Sequence, residues 1–113
     1  MKKTILYFLF FGTSLFTLKA QGLWTQRASL PDTARGYGIG FVIDSMGYVG
    51  LGSNIVLYPW VTFNDFWQYD PNTNTWTKKA DFPGTSRVCP ATFVIGHKAF
   101  VVTGSSDVYF DKC

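Results

Sequence analysis

Glutamate is absent from this chain; all seven of its acidic residues are aspartate. Aspartate suits turns and disfavours helix interiors, so the missing glutamate argues against a helical protein. Histidine occurs once, at His97, and cysteine twice, at Cys89 and Cys113. One imidazole with no metal-ligand spacing around it excludes multi-histidine metal chemistry, and His97 reads as a solvated turn residue. No Ser/His/Asp set and no phosphate-cradling glycine loop is present, and no cofactor is expected. Long hydrophobic runs are also lacking. The longest covers 4–18, about fifteen residues against the roughly twenty that span a bilayer. Preceded by Lys2 and Lys3 and followed by Leu18-Lys19-Ala20, it reads as a secretory signal peptide over 1–20, with the mature domain at 21–113 and no membrane span after cleavage. The expected location is periplasmic, cell-surface or extracellular.

The net charge of +3 then belongs to the signal, because Lys2, Lys3 and Lys19 leave with it. Seven cations (Arg27, Arg35, Lys78, Lys79, Arg87, Lys98 and Lys112) remain against seven aspartates. No basic patch argues for a nucleic-acid partner.

What the chain does have is aromatics, glycines and an internal repeat. Sliding it against itself by 52 residues sets Trp24 on Trp76, Pro31 on Pro83 and Arg35 on Arg87. The same shift sets Phe41-Val42-Ile43 on Phe93-Val94-Ile95 and Gly52-Ser53 on Gly104-Ser105. Twelve of the thirty positions from Trp24 to Ser53 recur without a gap. In the stretch 65–76, Trp67 and Tyr69 share one strand face, Asp70-Pro71-Asn72 makes a corner, and Trp76 opens the next strand. Strands are expected at 23–27, 36–43, 48–52, 65–69 and 75–79, and again at 88–95 and 98–104. Gly47 is expected to supply positive φ in the turn after 36–43, and the glycine face of 36–43 to admit a neighbouring backbone.

A period near fifty with four short strands per unit, and the run Tyr69-Asp70-Pro71-x-Thr73-x-x-Trp76 followed by Phe82-Pro83 and Arg87, resembles the kelch repeats of secreted bacterial β-propellers. The resemblance covers the chain from Leu23 onward. It implies an all-β, partial kelch β-propeller: one complete four-stranded blade, an orphan N-terminal outer strand, and half of a second blade. Further blades would then be needed for closure, making the chain a fragment or a truncated product. Trp24, Trp67, Tyr69, Trp76, Gly52 and Gly104 match the repeat's structural anchors. Aromatic residues at such positions fill the layers between sheets rather than stack on sugars.

Two features stand outside that scaffold. The connection 53–64 is long and apolar, which fits either a ligand surface or a loop packed over the next blade. Tyr58 and Trp60 are its candidates for ligand contact. Arg35 and Arg87 open successive inner strands. They suit carboxylate recognition at the channel mouth or, since both units carry them, a repeated hydrogen bond to loop carbonyls. Cys89 replaces Tyr37 on the face of Ala91, Phe93 and Ile95, so a buried thiol is expected rather than a bridge to Cys113. The expected function is a non-catalytic interaction module with a protein or glycan partner. The alternative carried by the resemblance is a fragment of a sugar-acting propeller enzyme, a copper oxidase or a sialic acid epimerase. A copper site needs more than one imidazole, so catalytic residues would have to lie on other blades.

Overall fold

The computed structural model describes residues 22–54, 56 and 58–106. The expected signal segment 1–20 and Cys113 lie outside the described residues. Among those residues all helix and strand structure is β, and no helix is long and apolar enough to cross a membrane.

The first sheet contains β1 (Ile39–Ile43), β2 (Met46–Gly50), β3 (Phe66–Asp70) and β4 (Thr75–Lys78), antiparallel and in sequence order. The second contains β5 (Ala91–Ile95) and β6 (Lys98–Val102). This is one four-stranded blade and the inner half of another. A two-residue turn joins β1 to β2, with Ile43 opposite Met46 and both Asp44 (φ 50°) and Ser45 (φ 67°) left-handed. Positive φ at both central residues matches the right-handed twist of a hairpin. Gly47, expected to take that role, is instead a strand residue paired with Val42 and Tyr69. The shift in register arises because Asp44 tolerates the left-handed region well enough to start the turn earlier.

The 52-residue repeat is written into the backbone. Tyr37 and Cys89 have φ of 56° and 52°, Leu51 and Thr103 of 57° and 63°, and Gly52 and Gly104 of 87° and 86°. Isolated bridges recur in step, Gly36 with Ser53 and Val88 with Ser105. At Gly52 a side chain has no room: a Cβ there would overlap the Gly36 carbonyl oxygen and lie 2.7 Å from the Gly38 nitrogen. The glycine face admits the backbone of its own blade, since Gly38 packs against the Gly50 and Leu51 carbonyls. Two backbone hydrogen bonds link the blades, Gly52 N–H to the Arg87 carbonyl (2.9 Å) and Cys89 N–H to the Tyr37 carbonyl (2.9 Å).

Two further expectations are corrected. Residues 23–27 form no strand, and Trp24 is 97 % exposed. A strand needs a paired edge, and the chain is instead held one step later, at Ala28. There the Trp76 indole N–H donates to the Ala28 carbonyl (2.8 Å), and Ala28 N–H donates to Asn74 Oδ1 (2.9 Å). Cys89 is half of a disulfide rather than a buried thiol. The bend that places Cys89 at positive φ lies before β5 begins, so the alternating face read for the strand does not extend back to it.

Gly52→Ala is expected to lower stability by about 2 kcal/mol or more, from left-handed strain plus a backbone clash. At Gly47 an added Cβ would make ordinary contact, 3.7 Å from the Tyr69 Cβ. Gly47→Ala should therefore stay within about 1 kcal/mol of the parent. Urea midpoints of the two variants measure the difference.

Candidate functional site

The connections 53–64 and 79–90 leave their sheets at the end where β1 and β5 begin, opposite the β1–β2 turn. Arg35 and Asp65 form the centre of this end. Arg35 stands ahead of β1 and Asp65 immediately ahead of β3, so the antiparallel sheet brings them to the same rim. The guanidinium grips the carboxylate with both terminal nitrogens, Nη2 to Oδ2 at 2.9 Å and Nη1 to Oδ1. It also bonds Asp32 Oδ2 at 3.1 Å and lies 4.5 Å from the centre of the Phe63 ring. Both partners are buried, the Arg35 side chain to 6 % exposure and the Asp65 side chain to 9 %. Burial pushes the Asp65 carboxyl up. Hydrogen bonds from Arg35 and from the Trp67 indole (2.7 Å), with the Arg35 charge, outweigh it and hold the group at about 2.

Arg87 sits at the same place in the second unit. Its Nη1 donates to the Thr103 carbonyl at 2.8 Å, as Arg35 Nη1 reaches the equivalent Leu51 carbonyl at 3.5 Å. Nε donates to the Thr85 carbonyl at 3.2 Å, and the Phe82 ring lies 5.0 Å from the guanidinium. No carboxylate pairs with Arg87 among the described residues.

The 53–64 connection has a closed base and an open tip. At its base Ser53 bridges Thr62, Asn54 N–H donates to the Val61 carbonyl (3.0 Å), and Val61 N–H returns to Asn54 Oδ1 (3.2 Å). Ser53 and Asn54 are buried, and a hydrogen bond of 2.6 Å joins Thr62 Oγ1 to Ser86 Oγ ahead of β5. Beyond that pinch the chain turns outward. Tyr58 is 90 % and Trp60 44 % exposed, with ring centres 6.4 Å apart and planes at 76°. The structure thus brings Tyr58 and Trp60 together on the surface and puts Arg35 inside. The guanidinium of Arg35 is committed to Asp65, whereas Arg87 keeps hydrogen-bonding capacity.

The structural anchors divide. Trp67, Tyr69 and Trp76 are half-buried in the first blade, with Tyr69 and Trp76 rings 5.0 Å apart, while Trp24 is not packed. Sequence reasoning missed Asp32, Asn54 and Asp65. The available signal for Asp65 was a lone charge between Phe63 and Phe66, a setting where a carboxylate needs a partner.

The kelch motif family model matches residues 47–83. This chain belongs to the kelch-repeat family. It is similar to proteins named N-acetylneuraminate epimerase from Escherichia coli O157:H7, Shigella sonnei (strain Ss046) and Escherichia coli (strain K12). In each case identity is 32 % over 105 residues, covering 88 % of this chain and 28 % of the relative. The kelch chain therefore spans about 28 % of the length of those curated relatives. Their shared name is that of an enzyme and gives no support to the expectation that the chain is non-catalytic.

The Asp65 carboxyl, held at about 2 against an ordinary 3.8, stabilises the fold wherever it is ionised. That contribution is complete above about pH 4 and is lost as pH falls toward 2. Asp65→Asn should cost about 3 kcal/mol or more, because it strands a buried guanidinium. Its stability should also lose that acid-range slope. Urea unfolding at pH 2.5 to 7 measures both.

Proposed function

We propose that this chain is the binding part of an exported kelch propeller, and that its 53–64 tip contacts a glycan. The carrying observation is the exposed Tyr58–Trp60 pair on a base fixed by Asn54, Ser53 and Thr62. Aromatic rings offer large, rigid, amphipathic faces at low entropic cost, and the braced base lowers the cost of ordering the loop on binding. The tip sits on the rim shared by the loops ahead of β1 and β5, so a ligand there faces several loops at once. The name of the relatives, N-acetylneuraminate epimerase, favours an acidic sugar over a protein partner. Export rests on the 1–20 segment, and no cofactor is assigned.

A second reading has the chain as one part of a sugar epimerase, supported by the same name. Under it the catalytic groups sit on other blades and the tip serves substrate binding.

Tyr58→Ala and Trp60→Ala should each keep the urea midpoint within about 1 kcal/mol of the parent, as exposed positions do. Each should abolish the saturation-transfer NMR signal of N-acetylneuraminate. Unfolding by either variant would make the tip part of the core and end the proposal. Conversion between N-acetylneuraminate anomers, followed by NMR, separates the epimerase reading from binding alone.

A further inference from the structure

The base of the 53–64 connection holds a hydrogen-bond donor with nothing to donate to. Asn54 is only 8 % exposed. Its backbone N–H donates to the Val61 carbonyl at 3.0 Å, and its carbonyl accepts from Ser53 Oγ at 3.0 Å. Its side-chain Oδ1 accepts from Val61 N–H at 3.2 Å. That last bond fixes which way the carboxamide is turned and leaves Nδ2 as the idle donor. Nδ2 meets no acceptor among the described residues, yet it is not one of the polar atoms sealed from solvent. A side chain so nearly buried ordinarily uses all its polar atoms. Trp60 directly precedes Val61, so this donor stands at the foot of the Tyr58–Trp60 pair.

The same connection carries no charge. Residues 53–64 include no Asp, Glu, Lys, Arg or His, and the guanidiniums of the rim, Arg35 and Arg87, belong to the segments ahead of β1 and β5. A carboxylate laid against the two rings would lose water and gain no cation, and the negative ring faces would repel it. A neutral amide carries neither penalty. Its carbonyl oxygen takes a hydrogen bond, and its methyl group gains by covering a ring.

Resting on the reading of the tip as a glycan contact, we infer that the tip recognises the N-acyl group of an amino sugar and not its carboxylate. Asn54 Nδ2 donates to the acyl carbonyl oxygen. The acyl methyl sits in the corner made by the Tyr58 and Trp60 rings, whose planes meet at 76° with centres 6.4 Å apart. The ligand class is therefore N-acetylated sugars, neutral and acidic alike, with any carboxylate directed away from the tip. The whole subsite lies within one connection, which the Thr62–Ser86 bond ties to the segment ahead of β5.

The test is saturation-transfer NMR on the full chain. It compares N-acetylglucosamine, glucuronate and glucose, which share one ring configuration, with N-acetylneuraminate. N-acetylglucosamine should give a signal, and glucuronate and glucose none. In both acetylated sugars the methyl protons should saturate most strongly. Asn54→Asp keeps an oxygen for the Val61 N–H and puts an acceptor where the donor was. It should weaken N-acetylglucosamine binding by roughly tenfold or more, the worth of one hydrogen bond to a group otherwise unpaired. The comparison of sugars leaves the chain unaltered, so it decides the matter even where Asn54→Asp does not fold. Signals from N-acetylneuraminate and glucuronate without one from N-acetylglucosamine would overturn the inference and leave the glycan reading standing. Equal signals from all four sugars, or full binding by Asn54→Asp, would do the same. No signal from any of the four would end both.

Discussion

The first blade depends on one buried guanidinium–carboxylate pair. Among the described residues few large aliphatic side chains are buried, chiefly Ile39, Leu51 and Val88, and so thin a core cannot fix strand order by hydrophobic burial alone. The Arg35–Asp65 fork does what the core does not. It joins the residue that leads into the innermost strand to the residue that leads into the third, across the strand between them. A buried pair contributes modest net stability but a large penalty for any arrangement that separates it. That asymmetry selects one register. The Trp67 indole and Asp32 complete the cluster, and Leu51 supplies the carbonyl behind it.

The same constraint explains why the long connection after β2 can carry exposed aromatic rings. Residues 51–54 are all buried, pressed between the ion pair and the start of the next blade. The loop is buried where it leaves the sheet at 51–54 and carries its most exposed ring, Tyr58, beyond that base. Functional groups on such a loop inherit the position of the scaffold without weakening it, the usual division between loops that bind and elements that hold.

Much of the fold was legible because its signals are local. The 52-residue match, the Tyr69-Asp70-Pro71 corner and the alternating aromatics fixed the four-strand unit and its restart at Arg87. What was not legible depended on partners distant in sequence. Trp24 is identical in type to Trp76, yet Trp76 has β3 beside it and Trp24 has no strand to pair with among the described residues, so identical residues took different states. Asp65 and Arg35 lie thirty residues apart, and no repeat of Asp65 at the same spacing flagged it. Tyr58 and Trp60 were visible as unusual residues in a long loop. Their mutual geometry depends on Asn54 closing the base, which composition does not encode.

The two blades are joined unequally at their ends. Around the start of β1 and β5 the links are backbone hydrogen bonds and the Thr62–Ser86 contact. At the opposite end, the two hairpin tips meet through His97 Nδ1 and Asp44 Oδ1 at 2.7 Å, both in open solvent. An exposed pair of that kind resists little force. Mechanically the assembly is a fan with its rivet at one end, so thermal motion or load will splay the sheets at the hairpin tips while the loop-bearing rim keeps its shape.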